Sequence, residues 1–120
     1  MKKFLFDSDV IIWYLKGRPE EKALIKALAK DGRLCMSVIT ITEIRAGLTK
    51  NAPDIIKSLK EIFIPISINE EISEIAGDFK QKYNLGIADM LIASCAVYTG
   101  SALVTYNKKH FPMKEVHFYK

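Results

Sequence analysis

Short apolar runs alternate along this chain with longer stretches of helical periodicity. Residues 3–6 form a compact apolar run that reads as a buried strand. Ser8 or Asp9 can then cap a helix carrying Val10, Ile11, Trp13 and Tyr14, with Gly17 as its stop. Over 20–30, Ala23, Leu24, Ala27 and Leu28 recur at helical spacing with lysines opposite, and Asp31-Gly32 ends the segment. Leu34–Val38 predicts a second strand, and Thr40 a helix reaching Gly47-Leu48. Asn51 and Pro53 open another helix, and Phe63–Ile66 is a short strand. Asn69 caps a long amphipathic helix to about Tyr83. Ile87–Tyr98 is an apolar helix stopped by Gly100, Ala102–Val104 a strand, and Val116–Tyr119 a candidate last strand.

Strands alternating with helices predict an α/β fold, a mainly parallel sheet with helices on both faces. Repeats, linkers and low-complexity tracts are absent from the sequence. In such sheets ligands bind beyond the carboxyl ends of the strands. Asp7 and Asp9, directly after the first strand, therefore belong at the reactive edge.

At 120 residues the expectation is one domain over 1–120, and 49% hydrophobic residues suffice for one core. A net charge of +4 is compatible with nucleic acid without requiring it. Cys35 and Cys95 lie in apolar surroundings without metal-type spacing, which reads as buried free thiols in a reducing compartment. The Met-Lys-Lys start resembles a signal peptide, but Asp7 and Asp9 interrupt the apolar run, and no apolar stretch is long enough to span a bilayer. The expected location is cytoplasmic.

Most acids have ordinary explanations. Asp54, Glu70 and Glu71 fall in first helical turns, and Glu20, Glu21, Glu61, Glu74 and Asp78 on polar faces. Asp89 is different, because its helix is apolar nearly all round and a lone buried carboxylate costs several kcal/mol unless it is paired or bound. Backbone N–H groups at the helix start are the alternative partner. Glu43 fits two readings: the glutamate of a capping box begun by Thr40, or an acid at the same edge as Asp7. Asp9 fits helix capping better than direct ligation. Thr105 and Asn107 follow a strand, with Lys108 and Lys109 beside them. Asp7, Glu43 and Asp89 could thus converge. Clustered carboxylates suit a hard divalent ion such as Mg²⁺ or Mn²⁺, which can activate water against a phosphodiester. A basic rim would be needed to admit phosphate, and Lys16, Arg18, Arg45, Lys108 and Lys109 are its candidates.

FLFDSDVII, SVITITEIRAGL, GIADMLIASCA and LVTYNKKHF resemble, in order, the four motifs of PIN-domain ribonucleases, most closely the VapC-like toxins of toxin–antitoxin pairs. The resemblance covers essentially the whole chain. It implies a three-layer α/β/α fold and Mg²⁺- or Mn²⁺-dependent endonucleolytic cleavage of RNA. It makes Asp7, Glu43 and Asp89 the metal site, with Ser8 and Thr105 bracing it. Two positions depart from the pattern: Asn107 stands where many relatives carry aspartate, and Asp9 where asparagine is usual. The neutral amide argues for one tightly held ion. The resemblance also implies a homodimer and a VapB-like antitoxin that occludes the acidic groove; Trp13, Tyr14, Leu48, Ile55, Ile56 and Leu59 are contact candidates that core packing explains equally well.

Two other readings stand beside the nuclease. A haloacid-dehalogenase-type phosphatase would use Asp7 and Asp9 as nucleophile and acid, but no later lysine motif is evident and the chain is short. A non-catalytic RNA- or antitoxin-binding module would have lost turnover through Asn107. Phosphoaspartate at Asp7 would mark the first; RNA binding indifferent to EDTA, without cleavage, the second.

Overall fold

The computed structural model describes residues 2–48 and 50–120. Strand β1 (Lys2–Phe6) leads into helices α1 (Ser8–Leu15) and α2 (Pro19–Asp31), then β2 (Gly32–Ser37), α3 (Val38–Gly47), α4 (Ala52–Ile62) and β3 (Ile64–Ile66). Helices α5 (Glu70–Tyr83) and α6 (Ile87–Thr99) precede β4 (Ala102–Val104) and a 3-10 turn, Lys108–His110.

Among the described residues the strands form one all-parallel sheet, ordered β3-β2-β1-β4. Strand pleating divides β1 between two cores. Phe4 and Phe6 face one side with Leu34, Met36, Phe63 and Val104, covered by α1–α4. Leu5 faces the other with Cys35 and Leu103, covered by α5, α6 and the C-terminal residues Phe111, Met113 and Val116. This is the expected three-layer α/β/α arrangement. Gly32 permits the β1–β2 register, since a Cβ there would lie 2.3 Å from the Lys2 carbonyl oxygen.

Three expectations change. The strand–helix border in the second motif lies earlier than read: Val38 and Ile39 belong to α3, and Ser37 is its cap, accepting from the Ile39 N–H at 3.2 Å. The last strand reduces to a single parallel bridge, Leu103 to Phe118, in which Leu103 donates to the His117 carbonyl at 2.8 Å and accepts from the Tyr119 N–H at 2.9 Å. Asn51 precedes α4 in the left-handed region, at φ 59°, and its side chain makes no cap bond. Asn69 does cap α5, accepting from the Ile72 N–H at 2.8 Å.

The strand order places the functional edge. From β1 the chain winds outward to β2 and β3, then returns to the other side of β1 as β4. Beyond the carboxyl ends of β1 and β4 is therefore a topological switch point, where open α/β sheets form their binding crevice. The Asp7 N–H closes it, donating to the Val104 carbonyl at 2.9 Å.

Candidate active site

Asp7 leaves β1 in an extended conformation, φ −65° and ψ 152°, and caps α1, the role expected of Ser8 or Asp9. Its Oδ1 accepts from the Ser8 N–H at 2.8 Å, and its Oδ2 from the Thr105 hydroxyl at 2.7 Å. The side chain is buried. Burial is the main force raising its pKa to about 6; Asp9 and Asp89 add to the rise, and the Thr105 and Ser8 bonds oppose it.

Ser8, also buried, links Asp7's neighbourhood to α3. Its Oγ donates to Glu43 Oε1 at 2.6 Å and lies 2.9 Å from Thr40 Oγ1. A hydroxyl carries one proton, so with Ser8's directed to Glu43, Thr40 is the donor to Ser8. The capping-box reading of Glu43 is thereby replaced: Thr40 lies inside α3, and Glu43, though exposed, reaches toward the first motif.

Asp89 stands in the first turn of α6, part-exposed, with His110 Nδ1 3.4 Å from its Oδ2. Burial raises its pKa, His110 opposes this, and Asp9 adds to it. The expectation of an all-round buried helix holds for Met90 and for Ile92–Ala96, while Ile87 in the first turn faces solvent. Asn107 completes the edge. Its N–H donates to Thr105 Oγ1 at 2.9 Å, and its side-chain amide donates to Asp9 Oδ2. Asp9 is thus the partner of Asn107 and not the cap of α1.

The basic candidates divide. Lys108 and Lys109 line a cleft of about 610 Å³ with Thr105, Tyr106, Asn107 and His110. Lys16 lines a second cavity, of about 340 Å³, together with Glu43, Ile12, Leu15, Ile44, Gly47 and Leu48. Arg45 is exposed on α3. Arg18 is not brought to the acids: it lies 2.9 Å from Glu20 and 3.0 Å from Glu21 and sits over the Trp13 ring. Of the partner-contact candidates, Ile56 and Leu59 are core residues, and Trp13 is exposed.

Sequence reasoning missed three residues here. His110 and Tyr106 acquire their roles through long-range contacts. Glu21, expected on a polar face, has a fully buried side chain. Its signal was present, for Glu21, Ile25 and Leu28 form the buried stripe of α2.

Among the described residues no lysine or arginine nitrogen lies within 4.0 Å of a carboxylate oxygen of Asp7, Asp9, Glu43 or Asp89. The donor set is carboxylate, hydroxyl and amide oxygen, which suits a hard divalent cation, and the burial and, to a lesser degree, the neighbouring acids that raise Asp7 are what such a cation would offset. Among the described residues there is no group of three acidic, histidine or cysteine side chains close enough to hold a metal ion between them, so Asp7, Glu43 and Asp89 do not form one. Mg²⁺ does not need one, because it retains waters and is commonly held by one or two carboxylates and a substrate phosphate.

A PIN domain family model matches residues 4–116. Ribonuclease VapC10 of Mycobacterium tuberculosis is 33% identical over 116 residues, covering 92% of this chain and 87% of that protein. A VapC ribonuclease of Pyrococcus furiosus is also 33% identical, covering 91% and 78%. Among solved structures, a toxin–antitoxin complex from Klebsiella pneumoniae contains a chain with 29% identity and a TM-score of 0.77, covering 93% of each chain. VapBC2 from Rickettsia felis, bound to a promoter DNA fragment, gives a TM-score of 0.86 at 19% identity, covering 97% and 96%, a likeness of fold. Motifs, topology and relatives agree: the chain belongs to the PIN-domain family, among the VapC ribonucleases.

Proposed function

We propose that this protein is an endoribonuclease, the toxin of a toxin–antitoxin pair, and that its activity depends on Mg²⁺ or Mn²⁺. The carrying observation is the buried Asp7 carboxylate, raised to about 6 beside Asp9 and Asp89, with no basic side chain paired to it among the described residues. Asp7 and Asp89 would hold the cation, with Glu43 joining through Ser8; when bound, it would supply Lewis acidity and lower the pKa of a coordinated water. The chain's own residues do the rest. Thr105 and Ser8 fix the two oxygens of Asp7. Asn107 fixes Asp9, and Lys108 and Lys109 provide positive charge along the cleft leading to the acids. That charge offsets the repulsion between an acidic site and an RNA backbone.

A VapB-like antitoxin is the partner this reading implies. The cavity between α1 and α3, with Glu43 at its side and Ile12, Leu15, Ile44 and Leu48 on its walls, offers an apolar seat beside the acids. Homodimerisation belongs to the same reading and is checked by light scattering. No helix among the described residues is long and apolar enough to cross a membrane. A cytoplasmic site of action also suits the two buried free thiols.

The test is cleavage of a panel of structured RNAs by partner-free protein in Mg²⁺, Mn²⁺ and EDTA, with Asp89→Asn prepared identically. Metal-dependent cuts at defined sites, lost by at least about a hundredfold in the variant, are expected. RNA binding without cleavage in any metal would instead favour the non-catalytic module, and cleavage unchanged in the variant would remove Asp89 from the site.

A further inference from the structure

The buried stripe of α2 contains a carboxylate where an apolar side chain would pack. Glu21, Ile25 and Leu28 share that stripe at helical spacing, and the Glu21 side chain is fully shielded from solvent. Burying a carboxylate is unfavourable unless its oxygens find partners. One oxygen has such a partner: Oε2 accepts from the hydroxyl of Tyr106. Oε1 faces the Arg18 guanidinium, Nε at 3.0 Å, yet has no directed hydrogen bond among the described residues. The single Nε hydrogen is engaged by Glu20 at 2.9 Å. Arg18 is itself held over the Trp13 ring of α1, 4.6 Å from its centroid.

Tyr106 lies between the two residues of the β4 loop that touch the acids. Thr105 donates to Asp7, and Asn107 donates to Asp9. The Asn107 N–H also bonds back to Thr105 Oγ1, so the loop is a tight unit with Tyr106 at its apex. The ring is half exposed, and its hydroxyl donates to Glu21 Oε2. Beyond β4 this segment has no ladder of its own until the bridge at Phe118. The Tyr106–Glu21 bond is thus an external anchor, running from the buried side of α2 to the loop that bears Thr105 and Asn107.

We propose that Glu21 and Tyr106 are positioning residues: their hydrogen bond sets the β4 loop so that Thr105 and Asn107 hold Asp7 and Asp9 in reactive geometry. Neither residue touches the reacting atoms. The proposal rests on the ribonuclease reading for its consequence in rate, and on the metal-free protein alone for its consequence in structure.

Three variants test it, with Tyr106→Leu as a control for the ring. Tyr106→Phe removes only the hydroxyl, Glu21→Leu fills the stripe but removes the acceptor, and Glu21→Gln keeps an acceptor in the same place. Hydrogen exchange at the Asn107 amide, measured without metal on protein shown to be folded by its thermal transition, reads the loop directly. Tyr106→Phe and Glu21→Leu are each expected to speed that exchange about tenfold or more, because the amide's bond to Thr105 opens more often. Both are expected to lower kcat about tenfold while KM changes less than about twofold, since misplacement of acids acts on the reaction more than on binding. Glu21→Gln should recover most of the protection and rate that Glu21→Leu loses. Unchanged exchange in Tyr106→Phe overturns the tether whatever the activity. Faster exchange with unchanged kcat overturns the positioning role. A raised KM in Tyr106→Leu with wild-type behaviour in Tyr106→Phe would assign the ring to RNA contact and also overturn it. A wild-type protein that never cleaves RNA refutes the ribonuclease reading, and the exchange arm still decides the anchor.

Discussion

Asp7→Asn should stabilise the metal-free protein, by an amount that depends on pH. The carboxylate is buried and its pKa stands at about 6, against 3.8 for an unperturbed aspartate. Two units at 1.36 kcal/mol each make the charged form about 3 kcal/mol less favourable in the folded than in the unfolded state. The folded state holds the proton more tightly, so stability falls as pH rises through the interval from 3.8 to about 6. Above it the full penalty is present; below it both states are protonated and the penalty is gone. Asparagine keeps an oxygen for the Ser8 N–H but presents an amide to Thr105, so the Thr105 hydroxyl proton loses its acceptor on this side chain. Losing that bond costs about 1 kcal/mol.

The net expectation at about pH 8 in EDTA is a variant about 2 kcal/mol more stable than wild type, worth about 8 °C in Tm at this chain length. Urea unfolding of both proteins across pH measures it. The gap should close as pH falls through the interval and reverse, to a loss of about 1 kcal/mol, near pH 3.5. Adding Mg²⁺ at high pH should narrow the gap by stabilising wild type alone. A variant less stable than wild type at high pH in EDTA, or a gap indifferent to pH, would refute the account of Asp7 as a crowded, desolvated acid.

Ser8→Ala removes the hydroxyl shared by Glu43 and Thr40. It should lower stability by about 1–2 kcal/mol in urea unfolding and reduce cleavage, because Glu43 then has no tie to the first motif. Asn107→Asp replaces the donor to Asp9 with a second carboxylate; metal-free stability should fall by about 1 kcal/mol while Mn²⁺ affinity, read by electron paramagnetic resonance, is kept or raised. Adding Asp9→Asn to that variant restores an amide–carboxylate pair and should recover the stability.

Asp7, Asp89, Thr105 and Asn107 were legible because each closely follows an apolar run or interrupts one, and a parallel sheet brings such positions to a single edge. Glu43 was ambiguous from sequence because Val38 and Ile39 suit a strand as well as a helix, so the true cap, Ser37, was read as strand. Glu21 was misread because an acid beside Glu20, on a helix with lysines along one side, has a sufficient explanation as part of a polar face; its place on the stripe with Ile25 and Leu28 was the overlooked counter-signal. The partners of Tyr106 and His110 are distant in sequence, and no local pattern encodes them. The last strand was over-read from composition: residues 116–119 have strand-like residues, yet they pair with β4 only through the bridge of Leu103 to Phe118.

The two departures from the expected motif pattern turn out to be one. Position 107 carries the amide and position 9 the acid, the reverse of the pattern the motif resemblance implies, and the two side chains are bonded to each other. Read separately, Asn107 subtracts a charge from the site and Asp9 adds an unrelated one. Read as a pair, the charge has moved across a hydrogen bond, from the loop after β4 to the first turn of α1. There the N-terminal helix dipole favours it, which it could not do for an acid on the loop. The relocated charge still acts on the site, since Asp9 raises the pKa of both Asp7 and Asp89. Asp9 and Asp89 both stand near Asp7 at this edge, and the amide of Asn107 gives Asp9 a hydrogen-bond donor that a like-charged neighbour would not supply.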